Sequence, residues 1–172
     1  RSGKSAHAEA LAAASGKSVI YIATAQAGDA EMEARIGHHR AQRNADWTTV
    51  EEPIGLATAI ESHSRTDTIV LVDCLTLWLS NLLFSDNRTY PDMGPITPPD
   101  AVKVHRENFL QAMQRTQGDL VFVTNEVGQG IVPQSAVARW FEDEAGRLNQ
   151  AVAARCDRVV LMVAGIPLTV KG

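Results

Sequence analysis

Arg1-Ser2-Gly3-Lys4-Ser5 runs without a break into Ala6-His7-Ala8-Glu9-Ala10-Leu11-Ala12-Ala13-Ala14. A Gly-Lys-Ser that opens an alanine-rich helix is the second half of G-x-x-x-x-G-K-[ST]. In that loop backbone N–H groups wrap phosphates, the lysine neutralises them and the hydroxyl can ligate Mg²⁺. Lys4 and Ser5 take those places, and Arg1 adds a cation beside them. The first half of the pattern and the strand that feeds it belong upstream of Arg1, so a natural chain that begins about ten residues earlier is expected.

Outward from this loop, apolar runs of strand length alternate with helical patterns, which predicts a parallel α/β sheet. The strands are Val19-Ile20-Tyr21-Ile22-Ala23, Ile69-Val70-Leu71-Val72, Leu120-Val121-Phe122-Val123 and Val159-Val160-Leu161-Met162-Val163. They are short, continuous and rich in branched residues, as strands covered on both faces must be. Helices are predicted at Lys4 to Ala14, Asp29 to Arg43, Gly55 to His63, Leu75 to Ser85, Asp100 to Gln117 and Ser135 to Arg155. In the last, Val137, Trp140, Phe141, Ala145, Leu148 and Val152 recur at three- and four-residue steps. Ile166 to Lys171 reads as an antiparallel edge strand after a turn at Gly165. Asp86 to Pro99 holds four of the seven prolines and no periodicity, so it is a surface loop or a mobile flap.

Composition narrows the chemistry. The 172 residues, 45% hydrophobic, suffice for one well-buried domain. A net charge of −4 offers no broad basic surface for nucleic acid, so a polyanion must be met by a few focused cations, which points to a small phosphorylated ligand. Cys74 and Cys156 have neither metal-ligand spacing nor a disulfide framework, and a reducing cytoplasm is expected. No apolar stretch reaches the roughly 18 residues that would span a bilayer, and no signal-peptide pattern is visible.

Gly16-Lys17-Ser18 repeats the Gly-Lys-Ser triplet, but it closes the first helix instead of opening one. Gly16 is therefore read as a helix C′ residue, away from the orphan amides and positive dipole that favour anions. Asp73 follows an apolar strand and stands where a P-loop protein places the carboxylate that organises Mg²⁺. Its alternative role is to cap the helix that begins near Cys74. Glu126 is a second acid at a strand end.

Arg35-Ile36-Gly37-His38-His39-Arg40, with Arg43, makes a cationic helix end. Adjacent helical residues point about 100° apart, so His38 and His39 cannot both face one cleft. Arg35 and His39 share a face and can present guanidinium and imidazole to one phosphate. A neutral imidazole can attack phosphorus near pH 7. The helix C-terminus and nearby phosphates favour imidazolium, which cannot, whereas the arginines oppose its charging. A solvated basic helix end is the alternative.

The ordered motifs together are more specific than the loop alone. Arg1 to Ser5, Tyr21-Ile22-Ala23-Thr24, Glu31-Met32 with Arg35-Ile36 and His38-His39-Arg40, and Asn81-Leu82-Leu83 come first. Val123-Thr124-Asn125-Glu126-Val127-Gly128, Gly130-Ile131-Val132-Pro133 and Ala145-Gly146-Arg147-Leu148-Asn149-Gln150 follow in order. Over nearly its whole length the chain resembles the bifunctional adenosylcobinamide kinase/adenosylcobinamide-phosphate guanylyltransferase of cobalamin biosynthesis. The resemblance implies one P-loop NTPase-like (RecA-like) three-layer α/β domain over residues 1–172, its sheet mostly parallel with an antiparallel C-terminal edge.

It also implies two reactions at one nucleotide site, with Mg²⁺ and with GTP, or ATP for the kinase step, as co-substrates. A nucleoside triphosphate phosphorylates the aminopropanol hydroxyl of adenosylcobinamide. A histidine then attacks the α-phosphate of GTP, pyrophosphate leaves, and GMP passes to adenosylcobinamide phosphate. The histidine falls on His39. The nucleotide contacts fall on Arg1, Ser2, Gly3, Lys4 and Ser5, on Thr24, Ala25 and Gln26, on Arg40, Ala41, Gln42 and Arg43, and on Glu51 and Asp73. Lys4 joins His39 as catalytic, and Ser5 with Asp73 as metal-binding. Glu51 reads either the guanine N1–H and N2–H₂ donors or a metal. For His39 to reach the α-phosphate, the helix Asp29 to Arg43 is expected to move when GTP binds. A trimer is implied as well. A regulatory P-loop switch is the competing class, but a G-domain's N-K-x-D motif is lacking at Thr124-Asn125-Glu126-Val127. A kinase with His39 as bystander is the third reading. His7, His63 and His105 are expected singly on exposed helix faces.

Overall fold

The computed structural model describes residues 2–26, 44–86 and 88–172. Arg1, His38, His39, Arg40 to Arg43 and the helix predicted at Asp29 to Arg43 lie outside the described residues.

Helix α1 (Lys4–Ala14) leads into β1 (Ser18–Ala23), and β2 (Thr48–Glu51), α2 (Leu56–His63) and β3 (Thr68–Asp73) follow. Next come α3 (Leu75–Leu83), α4 (Asp100–Arg115), β4 (Asp119–Val123) and α5 (Ala136–Arg155). The hairpin β5 (Val159–Val163) and β6 (Ile166–Lys171) ends the chain. One parallel sheet runs β2-β1-β3-β4, and β5-β6 form a separate antiparallel pair.

The period of two along β1 and β3 sorts their side chains into two cores. Ile20, Ile22, Val70 and Val72 pack with α2, α3, α4 and α5, whereas Val19, Tyr21, Ala23, Ile69 and Leu71 pack with Ala8 and Ala12 of α1. This is the three-layer arrangement, with the sheet as the middle layer. Trp78 and Phe109 are fully buried edge to face at 5.1 Å, and Phe109 meets Phe122 at 5.4 Å, so α3 and α4 are locked onto β4.

Several elements differ from expectation. β2 is not among the predicted strands: at Thr48-Thr49-Val50-Glu51 it is short, polar and at the sheet edge, so it carries no apolar run. The helices stop short of predicted ends, α3 at Leu83 and α4 at Arg115, while Gly55 and Ser135 are N-caps rather than helical residues. The Ser135 hydroxyl accepts from the Ala138 amide. His7, His63 and His105 are half-buried, because each helix face that carries them packs partly on a neighbour.

Asp86 to Pro99 is fastened at several points. Arg88 makes a two-pronged contact with Asp86 and donates to the Thr97 carbonyl at 2.9 Å, and the Tyr90 hydroxyl donates to Leu83 O at 2.7 Å. The Asp92 carbonyl accepts from the Ala136 amide at the start of α5.

Candidate functional site

Strand register decides what meets at the C-terminal end of the sheet. Glu51 pairs with Ala23, Ala23 with Asp73, and Asp73 with Val123. Four strand ends thus finish in one row, Glu51 and Asp73 two strand spacings or about 10 Å apart. This end of a parallel sheet is where α/β proteins bind ligands.

Helix α1 leads back into the start of β1, so its loop opens at the same end of the sheet as that row. Gly3 is the N-cap of α1 in the left-handed conformation, at φ 93°. Glycine takes that conformation without steric cost. A side chain there would come within 3.2 Å of the Gly165 backbone, and the Gly165 amide donates to the Ser2 carbonyl at 3.0 Å. The β5–β6 turn therefore backs the loop. No side chain caps α1, and the first bond back into the helix is His7 N–H to Gly3 O at 3.0 Å. The amides before His7 are left for an anion, with the helix dipole reinforcing them. The second triplet sits at the opposite end. Gly16 has φ 69° just past the Ser15 C-cap, and Lys17 pairs with Asp119 at 2.9 Å, at the start of β4.

Asp73 does not cap α3. Cys74 occupies the N-cap, and Asp73 Oδ2 instead accepts the Tyr21 hydroxyl at 2.9 Å. Thr24 is buried, and its hydroxyl donates to Cys74 O and accepts from Cys74 N–H, each at 2.8 Å. Its amide donates to Asp73 O at 3.1 Å, and its carbonyl accepts from Asn81 Nδ2 at 2.7 Å. Asn81 also reaches Pro53 O at 3.1 Å, so one side chain on α3 ties the ends of β1 and β2 together. Thr24 is thus a clasp between β1 and β3, and beyond it the chain rises out through half-buried Ala25 to exposed Gln26. Glu51 is exposed at the end of β2, while the Glu52 carboxylate accepts from Ile54 and Gly55 amides at 3.0 and 2.7 Å and organises the start of α2.

A second polar cluster follows β4. Asn149 of α5 donates to Asn125 O at 3.0 Å and Glu126 Oε1 at 2.8 Å, and accepts the Thr124 hydroxyl at 2.8 Å. Thr76 Oγ1 accepts from the amide and the side chain of Asn125, both at 3.0 Å. Of these residues only Thr24 and Glu126 were singled out from the sequence as candidates; Thr76, Asn81 and Asn149 were not. A signal existed in Asn81 and Asn149, polar residues set in otherwise apolar helix faces.

Burial raises the Cys74 thiol above its ordinary pKa, with the neighbouring Asp73 charge adding to it, against the lowering effect of the Leu77 and Thr76 amides. Cys74 is therefore a packed thiol that keeps its proton. Among the described residues no group of three or more His, Cys, Asp or Glu converges to cage a metal. No described helix is long and apolar enough to cross a membrane.

A family model for "Cobinamide kinase / cobinamide phosphate guanyltransferase" matches residues 1–170. The chain is 48% identical over 172 residues to the bifunctional adenosylcobalamin biosynthesis protein CobP of Pseudomonas aeruginosa, covering 100% of this chain and 93% of that relative. It is 43% identical to the bifunctional adenosylcobalamin biosynthesis proteins CobU of Escherichia coli and of Salmonella typhimurium, covering 99% of this chain and 95% of each relative.

Proposed function

The chain belongs to the cobinamide kinase / cobinamide phosphate guanyltransferase family, and from that premise we propose that a single nucleotide site runs both reactions through a guanylyl-histidine. It is a bifunctional kinase and guanylyltransferase. The observation that carries the one-site reading is that α1, which leads back into the start of β1, opens with Gly3-Lys4-Ser5 at the end of the sheet where Glu51 and Asp73 finish their strands and Thr24 follows β1.

In the kinase step, Lys4 and the first amides of α1 hold the β- and γ-phosphates while the acceptor hydroxyl of adenosylcobinamide attacks the γ-phosphorus. In the second step the neutral imidazole of His39 attacks the α-phosphorus of GTP and expels pyrophosphate. The phosphoramidate then delivers GMP to adenosylcobinamide phosphate. Splitting the transfer lets pyrophosphate depart before the large acceptor is bound. Arg1, Ser2, Ala25, Gln26 and Arg40 to Arg43 complete the nucleotide contacts in this reading, and Glu51 reads guanine. Thr24 contributes by holding the β1 end in place, since its amide, carbonyl and hydroxyl all have protein partners.

Ser5 and Asp73 suit Mg²⁺. One hydroxyl and one carboxylate, with no cage of further acidic, His or Cys ligands among the described residues, are the donors this ion takes when phosphates and water complete its octahedron. Bound there, the ion would neutralise the triphosphate charge. Tyr21 fixes one carboxylate oxygen of Asp73, which leaves the other for this task.

Incubation with GTP labelled at the α-phosphate tests the covalent step. Acid-labile, base-stable label is expected on the wild type and on His38→Ala but not on His39→Ala. Label that survives in His39→Ala rules out the assignment, and a wild type that phosphorylates cobinamide but never takes up label leaves a kinase with a different route to the guanylyl product. Assembly as a trimer is part of the same proposal, supported by the exposed apolar row Ile166, Leu168 and Val170 on β6. A light-scattering mass of one chain would exclude it.

A further inference from the structure

Glu126 lies three residues past Val123, the β4 residue in register with Asp73. Its carboxylate is exposed, yet one oxygen is held by Asn149 at 2.8 Å. Exposed glutamates ordinarily sample many rotamers, and fixing one costs entropy that must be recovered. Here the restraint is extensive. The same Asn149 amide bonds Asn125 O, its oxygen takes the Thr124 hydroxyl, and Thr76 of α3 holds Asn125 by two further bonds. Two helices and a strand end converge to set the direction of a carboxylate at the surface. Arg139 of α5 fastens the far end of the same segment through the Pro133 and Gln134 carbonyls.

The place that Glu126 occupies is chemically pointed. With Lys4, Thr124 and Asn149 it lines a cleft, at the end that lies past the C-terminus of β4. The phosphate-holding lysine and this carboxylate thus belong to the same end of the sheet, on different elements. Immediately beyond it the chain exposes Val127, Ile131 and Val132, an apolar surface suited to a large acceptor.

We propose that Glu126 is the carboxylate that receives the acceptor's hydroxyl proton in the kinase reaction, and that Asn149 is its positioning residue. The cobinamide hydroxyl oxygen forms a bond to the γ-phosphorus, the bond from that phosphorus to the β,γ-bridging oxygen breaks, and the nucleoside diphosphate leaves with the electron pair. The hydroxyl proton passes to Glu126 and from there to water. A carboxylate in this role orients the nucleophile and contributes on the order of 10²-fold or more in rate. Asp73 keeps its separate place one strand away, with its own partner in Tyr21.

The test uses the purified full chain with Mg²⁺, GTP and adenosylcobinamide, and follows phosphoryl transfer in single turnover from about pH 3.5 to 9, a window that includes the ordinary carboxylate range. Glu126→Gln is expected to lower the rate about 100-fold and to abolish its decline on the acid side. GTP affinity and guanylyl transfer to separately prepared adenosylcobinamide phosphate should stay within about threefold of wild type. Asn149→Ala should lower the phosphoryl-transfer rate about tenfold with nucleotide KM unchanged and should shift the acid limb, which a purely architectural asparagine would not do. Glu126→Gln that transfers phosphate within threefold of wild type overturns the proposal, as does an equal loss of GTP binding and of both activities in a folded protein. If Glu126→Gln fails to fold, Glu126→Asp decides the matter. A slowed rate that keeps its acid limb supports the role, and an unslowed rate or a lost limb refutes it.

Discussion

The Tyr21 hydroxyl lies 2.9 Å from Asp73 Oδ2, bridging two neighbouring parallel strands at the end that faces the phosphate loop. Tyr21 is almost fully buried, so the phenol is a fixed donor aimed at one oxygen of the carboxylate. Tyr21→Phe keeps the ring and removes that donor. A hydrogen bond to a charged group contributes about 1.5–3 kcal/mol, and at this position part of it goes into orienting Asp73. The expected result is a roughly tenfold weaker Mg²⁺ dependence of the kinase rate, with Tm lowered by only a few degrees. A magnesium titration of the Tyr21→Phe protein that overlays wild type would show that Asp73 needs no such support.

Thr24 supports the same strand ends differently. Its hydroxyl is a partner of both the N–H and the C=O of Cys74, and the carbonyl has a second partner in the Trp78 amide at 3.1 Å. Thr24→Val preserves shape but leaves the Cys74 N–H unpaired, at a cost of about 1–3 kcal/mol. Thr24→Ser should recover most of it. Denaturant midpoints of the three proteins check this, and a Thr24→Val midpoint equal to that of Thr24→Ser would contradict the clasp.

Both thiols are pushed above their ordinary pKa. Burial is the largest cause for Cys74 and for Cys156, where Lys171 partly offsets it. A raised folded pKa means the folded state holds its proton more tightly than the unfolded chain does. The resulting stability is complete below the unfolded thiol pKa near 8.5 and is lost as pH rises through the folded value. Thermal stability should therefore decline between about pH 8 and 10, less steeply in Cys74→Ala. Native Cys74 should also resist iodoacetamide at pH 8 and react once guanidinium is added. Rapid alkylation of the native protein would contradict its placement.

The parallel sheet and its two-sided cover were legible because the runs at β1, β3 and β4 are continuous and branched, and burial on both faces leaves no polar alternation to blur them. The Gly3-Lys4-Ser5 start and its decoy separated on position alone, since one opens α1 and the other closes it at Gly16. What escaped was short or relational. β2 is a polar strand whose only strand partner among the described residues is β1, so no local pattern marks it. The Asn149–Glu126 and Asn81–Thr24 contacts span 23 and 57 residues, and such pairings exist only after helices dock.

The outer edges of β4 and β5 both line the cleft, and among the described residues neither has a strand partner on that side. Open edges with apolar flanks invite pairing. The cleft runs along Leu120 to Val123 on one wall and Val159, Val160 and Met162 on the other, and His7 Nε2 is buried at it without a hydrogen-bond partner among the described residues. The phosphate loop starts at its lip, where Ser2 meets Gly165. A strand seated there would join the two sheets and give the β4 amides partners. Fusing a six-residue Val/Ile strand and a short glycine turn ahead of Arg1 should bury three or four further side chains at about 1.5 kcal/mol each. Part of this is spent on ordering the added residues, so a rise in Tm of about 5–10 °C is expected. Slower hydrogen exchange at alternate β4 amides should accompany it. If Tm and β4 exchange are the same with and without the added strand, the cleft is not a strand slot.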